Sequence, residues 1–203
     1  MTHILTDCDG VLLDWSTAFD KYMLLQRGLD VIHDSTYCIG KRYGISPDAG
    51  RDAVLIFNTT DAVHDLKPVP GAVEAMKILN EVYKCRFTVV SSLSDDPKKR
   101  DAREKNLVDT FGDIFDDVIC LKLTRSKADV LKNYPKGTIW LEDHATNAAL
   151  GHALGLRSHL LAHSYNRYEA AELLVENKID GYHDNWPEML TAIIKETENA
   201  LYY

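Results

Sequence analysis

Short apolar runs alternate with stretches of helical spacing along most of the chain. The first apolar run, Ile4 to Thr6, predicts a short buried strand that ends at an acidic residue. Residues 16–26 repeat apolar side chains at three- and four-residue intervals, so they predict an amphipathic helix with Gly28 as its C-cap. The apolar side of this helix is predicted to comprise Ala18, Phe19, Tyr22, Met23 and Leu25.

The segment from residue 30 to residue 66 contains no strand pattern. Glycine and proline residues break it into short helical pieces, which is typical of an insertion. After it, the turn residues Pro68 to Gly71 precede a helix predicted over residues 72–83.

The rest of the chain alternates strand and helix patterns. Strands are predicted at residues 86–90, 118–121, 138–141, 158–161 and 179–182. Helices are predicted at residues 96–108, 126–133, 145–154, 168–176 and 187–200, with Pro97 at N1 of the first and Ser126 as N-cap of the second. This alternation predicts an α/β fold with a doubly wound parallel sheet.

The same pattern predicts the domain organisation. We expect residues 1–14 and 67–203 to form a Rossmann-like core, and residues 15–66 to form a small helical cap inserted after the first strand. In such sheets the active site lies at the carboxyl ends of the strands.

Composition and charge narrow the classes of partner. The chain has 203 residues, of which 45% are hydrophobic, and this is enough for one sizeable core. The formal net charge is −8 without a basic block, which disfavours a long nucleic acid but allows a small anion beside a metal ion. We find no signal-peptide pattern and no run approaching the roughly 20 apolar residues of a membrane span.

The four cysteines form no C-x-x-C pair. They are Cys8, Cys38, Cys85 and Cys120. This spacing predicts reduced, mostly buried thiols and a cytoplasmic protein.

Two acids follow the first predicted strand. Asp7 ends the strand, and Asp9 can face the same space if Gly10 lets the chain turn sharply. Two carboxylates this close repel each other, and a divalent cation relieves the repulsion. The pair therefore predicts a cation site at this strand end.

Three further strand ends carry polar side chains. Ser91 closes the second predicted strand and can donate a hydrogen bond to a phosphoryl oxygen. Lys127 stands at a predicted helix start, where its charge and the helix N-terminus both favour phosphate. Glu142 and Asp143 follow an apolar strand directly before a helix, which suggests a metal ligand with a supporting acid. Each of these residues alone is weak evidence for a functional site. Together, and in this order along the chain, they predict a single site.

These four motifs, in this order, resemble those of the haloacid dehalogenase (HAD) superfamily of phosphatases. Residues 15–66 match the position of that superfamily's helical cap. The chain also resembles the 5'(3')-deoxyribonucleotidases over nearly its whole length. That resemblance is carried by residues 7–15, 65–72, 90–92, 123–127, 166–167 and 184–186.

The resemblance implies a Mg²⁺-dependent hydrolase of phosphomonoesters that acts through an aspartyl-phosphate. In this family pattern Asp7 attacks phosphorus, and Asp9 protonates the leaving oxygen and then activates water. Mg²⁺ is held by Asp7, the Asp9 backbone carbonyl and Asp143, with Glu142 nearby or acting through water. Because cleavage of a carbon–halogen bond needs no protonated leaving group, Asp9 argues against a dehalogenase.

By the same resemblance Ser91, the Ser92 backbone and Lys127 hold the equatorial oxygens of the phosphate. The substrate expected from it is a nucleoside monophosphate, most typically a deoxyribonucleotide.

Substrate choice is expected to lie in the cap. Trp15 falls where the nucleotidases carry an aromatic residue that stacks on the base, and Phe19 lies one turn further on. The alternative for both is packing beneath the cap. The family's aromatic pair before residue 65 is replaced here by Ala62 and Val63, which leaves base preference open.

Other positions have two interpretations each. Asn166 and Arg167 either order a loop over the site or begin a helix, and His144 faces either the site or the surface. Asp184 or Asn185 is expected to cap the last helix.

Two other functions fit the same motifs. The first is a HAD phosphatase for a sugar phosphate or another small phosphomonoester. The second is a non-catalytic receiver-like or phosphate-binding module, although a receiver is shorter and lacks a cap. A homodimer, the sugar and the position of the phosphate are left open.

Overall fold

The computed structural model describes residues 2–94 and 96–199, and its centre is a six-stranded parallel sheet with the strand order β3-β2-β1-β4-β5-β6. The strands are β1 His3–Thr6, β2 Arg86–Ser92, β3 Phe115–Leu121, β4 Ile139–Glu142, β5 Arg157–Leu161 and β6 Gly181–His183. The predicted α/β fold with a doubly wound parallel sheet is confirmed.

Helices cover both faces of the sheet and fill the segment between β1 and β2. They are α1 Trp15–Arg27, α2 Ile39–Tyr43, α3 Pro47–Phe57, a 3₁₀ turn at Asp61–Asp65, α4 Ala72–Glu81, α5 Pro97–Phe111, α6 Ala128–Leu131, α7 Ala145–Ala153, α8 Arg167–Val175 and α9 Trp186–Asn199. No helix within the described ranges is long and apolar enough to cross a membrane.

Strand β1 occupies the middle of the sheet because its residues are apolar on both faces. Ile4 belongs to the cluster beneath one face, whereas Leu5 belongs to the cluster beneath the other, together with Trp140 of β4. Trp186, at the start of α9, donates from Nε1 to the Val11 carbonyl at 2.8 Å and so fixes the loop after β1. The strand order changes direction between β1 and β4, which opens a crevice at their carboxyl ends.

The segment from residue 15 to residue 66 has a hydrophobic cluster of its own. Phe19, Met23, Tyr43, Ala53, Phe57 and Val63 form it, together with Leu93, which follows β2. The predicted C-cap of α1 is confirmed, because Gly28 is left-handed and its amide donates to the Leu24 and Met23 carbonyls. Within residues 30–66 only helices and turns occur, as expected of an insertion. The division into core and cap stays a prediction.

Several local predictions were wrong. Leu25 is 65% exposed, because it lies two residues beyond the buried Met23 and therefore on the opposite side of α1. The helix predicted from Ser126 begins at Ala128, with Lys127 as its N-cap. Only two of the four thiols are buried, since Cys38 is exposed and Cys120 is half-buried.

The cap of the last helix was predicted correctly. Asn185 Oδ1 accepts a hydrogen bond from the Glu188 amide at 3.0 Å, and Glu188 Oε2 accepts one from the Asp184 amide at 3.1 Å. The arrangement resembles a capping box, except that Glu188 accepts from the amide of the residue before the N-cap. Residue 200, the predicted end of this helix, lies outside the described residues.

Candidate active site

A cavity of about 410 Å³ lies at the carboxyl ends of the central strands, between the sheet and the cap segment. Its core-side lining includes Asp7, Asp9, Ser91, Ser92, Lys127 and Asp143. The polar residues predicted from separate strand ends therefore share one cavity, except Glu142, which is fully buried and does not line it.

Asp7 is almost entirely buried directly after β1. Its amide donates to the Leu141 carbonyl at 2.8 Å, which carries the sheet hydrogen bonding one residue past the strand. Its Oδ1 accepts from the Cys8 amide at 2.7 Å, and its Oδ2 lies 2.6 Å from Lys127 Nζ. Burial, reinforced by the charge of Glu142, raises the pKa of Asp7 to about 8.

Lys127 links two carboxylates inside the protein. Its Nζ lies 2.6 Å from Asp7 Oδ2 and 2.8 Å from Glu142 Oε1, and the side chain is 2% exposed. Burial alone would lower the pKa of this lysine, but the two carboxylates raise it above its usual value. The ammonium also lies 5.2 Å from the centre of the Trp140 ring. Lys127 is thus a fixed positive charge at the floor of the cavity.

Glu142 uses both of its oxygens within the protein. Oε1 accepts from Lys127, while Oε2 accepts from the amides of Asp143 at 2.7 Å and His144 at 2.9 Å. Burial opposes its ionisation, but Lys127 and these hydrogen bonds lower its pKa to about 2. Glu142 therefore holds Lys127 and the turn that carries Asp143.

Asp143 is held by the segment that follows β5. Tyr165 Oη donates to Asp143 Oδ2 at 2.5 Å, and Asn166 Nδ2 donates to the Asp143 carbonyl at 2.7 Å. Burial and the charges of Glu142 and Asp7 hold the pKa of Asp143 well above its usual value. Both interpretations of Asn166 hold, because it contacts Asp143 and is also the N-cap residue of helix α8.

Gly10 makes the close approach of the two acidic turns possible. Its φ is +79°, and a Cβ there would lie 2.6 Å from Asp143 Cγ and 3.0 Å from Tyr165 Oη. Any other residue would therefore push Asp143 from its position.

The residues present fit a hard divalent cation. Carboxylate oxygens of Asp7, Glu142 and Asp143 lie within 4.8 Å of one another, although both oxygens of Glu142 already accept hydrogen bonds. Lys127 pairs with only two of these three buried carboxylates, and burial, reinforced by the neighbouring carboxylate charges, raises the pKa of Asp7 and Asp143. Clustered carboxylate oxygens are the ligands that Mg²⁺ prefers.

The Asp9 carboxylate is not one of the three clustered carboxylates. Its Oδ1 forms an ion pair with Arg103 Nη1, and 23% of its side chain is exposed. It lines the same cavity as Asp7 but stands outside the cluster of three acids. A contribution of Asp9 to cation binding would therefore come from its backbone, as the family resemblance implies.

The Ser91 hydroxyl is available for a hydrogen bond to a bound molecule. Ser91 is 1% exposed and lines the cavity, and its Oγ has no hydrogen-bond partner within residues 2–94 and 96–199. A buried hydroxyl without a partner is costly, so a phosphate oxygen or water in the cavity would satisfy it. Ser92, the last residue of β2, lines the same cavity.

The aromatic residues of α1 form the cap-side wall. The Trp15 ring stacks on Phe19 with ring centres 4.6 Å apart, and its Nε1 donates to Asn58 Oδ1 at 3.1 Å. Both rings line the cavity, but Phe19 is fully buried in the cluster of the cap, whereas Trp15 is half-buried. A base-contacting role for either residue stays a prediction.

The loop between α1 and α2 reaches the core beside the acids. The Tyr37 ring packs edge-on against His144, with ring centres 4.3 Å apart, and lies 5.5 Å from the Tyr165 ring. Ser164 Oγ donates to the Asp34 carbonyl at 3.0 Å. His144 consequently faces the cavity, which settles its two interpretations.

Sequence reasoning missed Arg103, Tyr165 and Asn58. Tyr165 follows β5 and therefore lies at the same sheet edge as the predicted site, a signal that could have found it. Arg103 and Asn58 lie within or directly after helices that carry no motif.

The fold is that of haloacid dehalogenase-like hydrolases. A haloacid dehalogenase-like family hydrolase from Streptococcus pneumoniae matches with a TM-score of 0.66 at 14% identity, over 95% of this chain and 98% of that one. A HAD family hydrolase from Deinococcus radiodurans, with bound phosphate and sodium, matches with a TM-score of 0.58 at 16% identity, over 97% and 96% of the two chains.

A phosphatase is among the structural neighbours. The D,D-heptose 1,7-bisphosphate phosphatase from Burkholderia thailandensis matches with a TM-score of 0.52 at 14% identity, over 96% of this chain and 99% of that one. No protein-family model matches the sequence, and no curated protein is significantly similar to it. At such identities the likeness establishes the fold alone.

Proposed function

We propose that this protein is a Mg²⁺-dependent phosphomonoester hydrolase that works through a phosphorylated Asp7, and that its substrates are nucleoside monophosphates of the 5'(3')-deoxyribonucleotidase type. The observation that carries the proposal is the shared cavity, in which the Asp7 carboxylate is bonded to Lys127 and the unpartnered hydroxyl of Ser91 is also available.

The first step transfers the phosphoryl group to the enzyme. A carboxylate oxygen of Asp7 attacks phosphorus, the bond to the leaving oxygen breaks, and Asp9 gives that oxygen a proton. Lys127 and Ser91 would hold the non-bridging oxygens, where negative charge is concentrated in the transition state.

The second step returns the enzyme to its starting state. Asp9, now a carboxylate, takes a proton from a water molecule, whose oxygen attacks the phosphorus of the acyl phosphate. The bond between phosphorus and Asp7 breaks, inorganic phosphate leaves, and Asp9 again carries its proton.

Asp7, Asp143 and the Asp9 carbonyl would hold Mg²⁺, with Glu142 beside them. When bound, the cation offsets repulsion between the carboxylates and the anionic substrate. The excess negative charge of the buried acids supports this assignment.

Preference for a nucleotide rests on the cap-side wall. Trp15 offers an aromatic surface in the same cavity as Asp7, which suits a nucleobase. The family resemblance of the sequence supports the same class. A sugar phosphate could be hydrolysed by the same chemistry, but it has no base to pack against the aromatic wall.

The test is phosphate release from a panel of ribo- and deoxyribonucleoside monophosphates and sugar phosphates, with Mg²⁺ or with EDTA. We expect deoxyribonucleotides to be preferred and EDTA to abolish turnover. Asp7→Asn should be folded but inactive. Preference for a sugar phosphate would contradict the nucleotidase assignment alone, whereas full activity of Asp7→Asn would contradict the proposed chemistry.

A further inference from the structure

We propose that Arg103 is a positioning residue that holds the Asp9 carboxylate in place for proton transfer. The inference rests on the proposed function, and it assigns a role to a charged residue that no motif contains.

Arg103 is a buried cation on helix α5. Its side chain is 0% exposed, and Nη1 contacts both Asp9 Oδ1 and the Cys8 sulfur, the latter at 2.9 Å. Its Nε and Nη2 atoms are also buried, and no described residue forms a hydrogen bond with them. All its polar contacts are therefore directed at the turn that follows β1.

Burying Arg103 is energetically unfavourable if the side chain only fills space. A guanidinium removed from water is costly, and two of its nitrogens receive no compensation. An apolar side chain of similar volume would fill the same space without unpartnered donors. The contact with Asp9 is consequently what the arginine supplies that an apolar residue could not.

The contact fixes how Asp9 faces the cavity. Arg103 approaches from within the protein and is not part of the cavity wall, whereas Asp9 is. Since Oδ1 is held from behind, Oδ2 is the oxygen left for the substrate's leaving group. Without Arg103 the carboxyl group could rotate, and proton transfer depends on its orientation.

The test compares two leaving groups in one variant. A nucleoside leaves as an alkoxide and needs a proton, whereas p-nitrophenolate leaves without one. The ratio kcat/KM reports only steps up to release of the leaving group, so it excludes the second proton transfer, which activates water. For Arg103→Met we expect kcat/KM to fall by about tenfold or more on a nucleoside monophosphate, and by less than about threefold on p-nitrophenyl phosphate.

A double variant separates positioning from a general structural role. In the Asp9→Asn background, Arg103→Met should cause little further loss of kcat/KM, because the group it positions is already absent. Arg103→Lys, which keeps a cation, should recover part of the activity of Arg103→Met. Because both substrates are measured on the same preparation, partial unfolding cancels in their ratio; if Arg103→Met is insoluble, Arg103→Lys carries the comparison.

Arg100→Met is the matched control. Arg100 lies on the same helix and pairs with Asp117, but both side chains are about half exposed. It should change neither substrate's kcat/KM. Equal losses on both substrates in Arg103→Met, or additive losses with Asp9→Asn, would overturn the positioning role. Failure of the wild-type protein to hydrolyse either phosphomonoester would instead contradict the proposed function.

Discussion

Lys127 bridges Asp7 and Glu142, with its Nζ 2.6 Å from one carboxylate and 2.8 Å from the other. All three side chains are at most 10% exposed. The lysine compensates buried negative charge, and in the proposed reaction it would also bind the transferred phosphate.

Replacing this lysine should damage both stability and activity. Lys127→Met leaves Asp7 and Glu142 without their cation, and breaking a buried pair costs on the order of 3 kcal/mol. We expect that loss in urea unfolding of the metal-free protein, together with loss of turnover. Lys105→Met, which breaks an exposed pair with Asp109, should cost less than about 1 kcal/mol. Similar stability of the two variants would contradict this role of Lys127.

A methyl group at Gly10 should disable the site. The Cβ of Gly10→Ala would lie 2.6 Å from Asp143 Cγ, and the φ of +79° is itself strained for alanine. We expect turnover to fall by at least about tenfold, because Asp143 must move. Gly137→Ala separates strain from collision, since φ is +82° there and a Cβ meets nothing within 4 Å. The Gly137→Ala control should lose stability but keep its activity. Equal turnover by Gly10→Ala and Gly137→Ala would refute the collision with Asp143.

Tyr165 should strengthen cation binding through Asp143. Tyr165→Phe removes the 2.5 Å hydrogen bond to Asp143 Oδ2, and loss of such a supporting contact typically weakens metal binding by about 10–100-fold. The Mg²⁺ concentration that gives half-maximal activity measures the effect. Tyr168→Phe, at a position 82% exposed, should leave that concentration unchanged. An unaltered Mg²⁺ requirement in Tyr165→Phe would exclude this contribution.

The strand pattern could be predicted because it depends on local sequence. Apolar runs bounded by turn residues identified every strand of the sheet, with boundaries displaced by up to three residues. Asp7, Ser91 and Asp143 could be predicted because parallel strands end at one edge. Helix α6 was predicted too long because it continues as a 3₁₀ turn, in which the Asn133 and Tyr134 amides donate to the Val130 and Leu131 carbonyls.

Arg103 shows what local sequence could not supply. A charged residue on a helix is normally solvated, and its ion pair with Asp9 joins positions 94 residues apart. Tyr165 and Asp143 are likewise 22 residues apart. Such contacts depend on how helices and loops pack over the sheet edge, and no spacing rule encodes that packing.

Stability should contain a pH-dependent contribution from His183. Burial, together with the neighbouring His159, lowers the pKa of His183 from 6.5 to about 4. The unfolded chain therefore takes up a proton before the folded protein does, so this contribution is complete above pH 6.5 and is lost as the pH falls toward 4. After discounting for partial exposure, the loss is about 1–2 kcal/mol.

The comparison of wild type with His183→Gln isolates this histidine from the acids of the site. Urea unfolding at several pH values should give a wild-type stability that declines more steeply with acidification than that of the variant. Parallel curves would show that His183 does not titrate as inferred.

Covalent phosphorylation of Asp7 is the central claim, and rapid-quench mass spectrometry tests it most directly. Acid quenching during turnover of a deoxyribonucleoside monophosphate with Mg²⁺ should yield a peptide phosphorylated at Asp7, whose level rises and decays as the substrate is consumed. With p-nitrophenyl phosphate, whose leaving group needs no proton, Asp9→Asn forms the intermediate but is slowed in its hydrolysis, so it should accumulate more phosphorylated Asp7 than the wild type. Full turnover with no phosphate on Asp7, or with phosphate on another residue, would contradict the account.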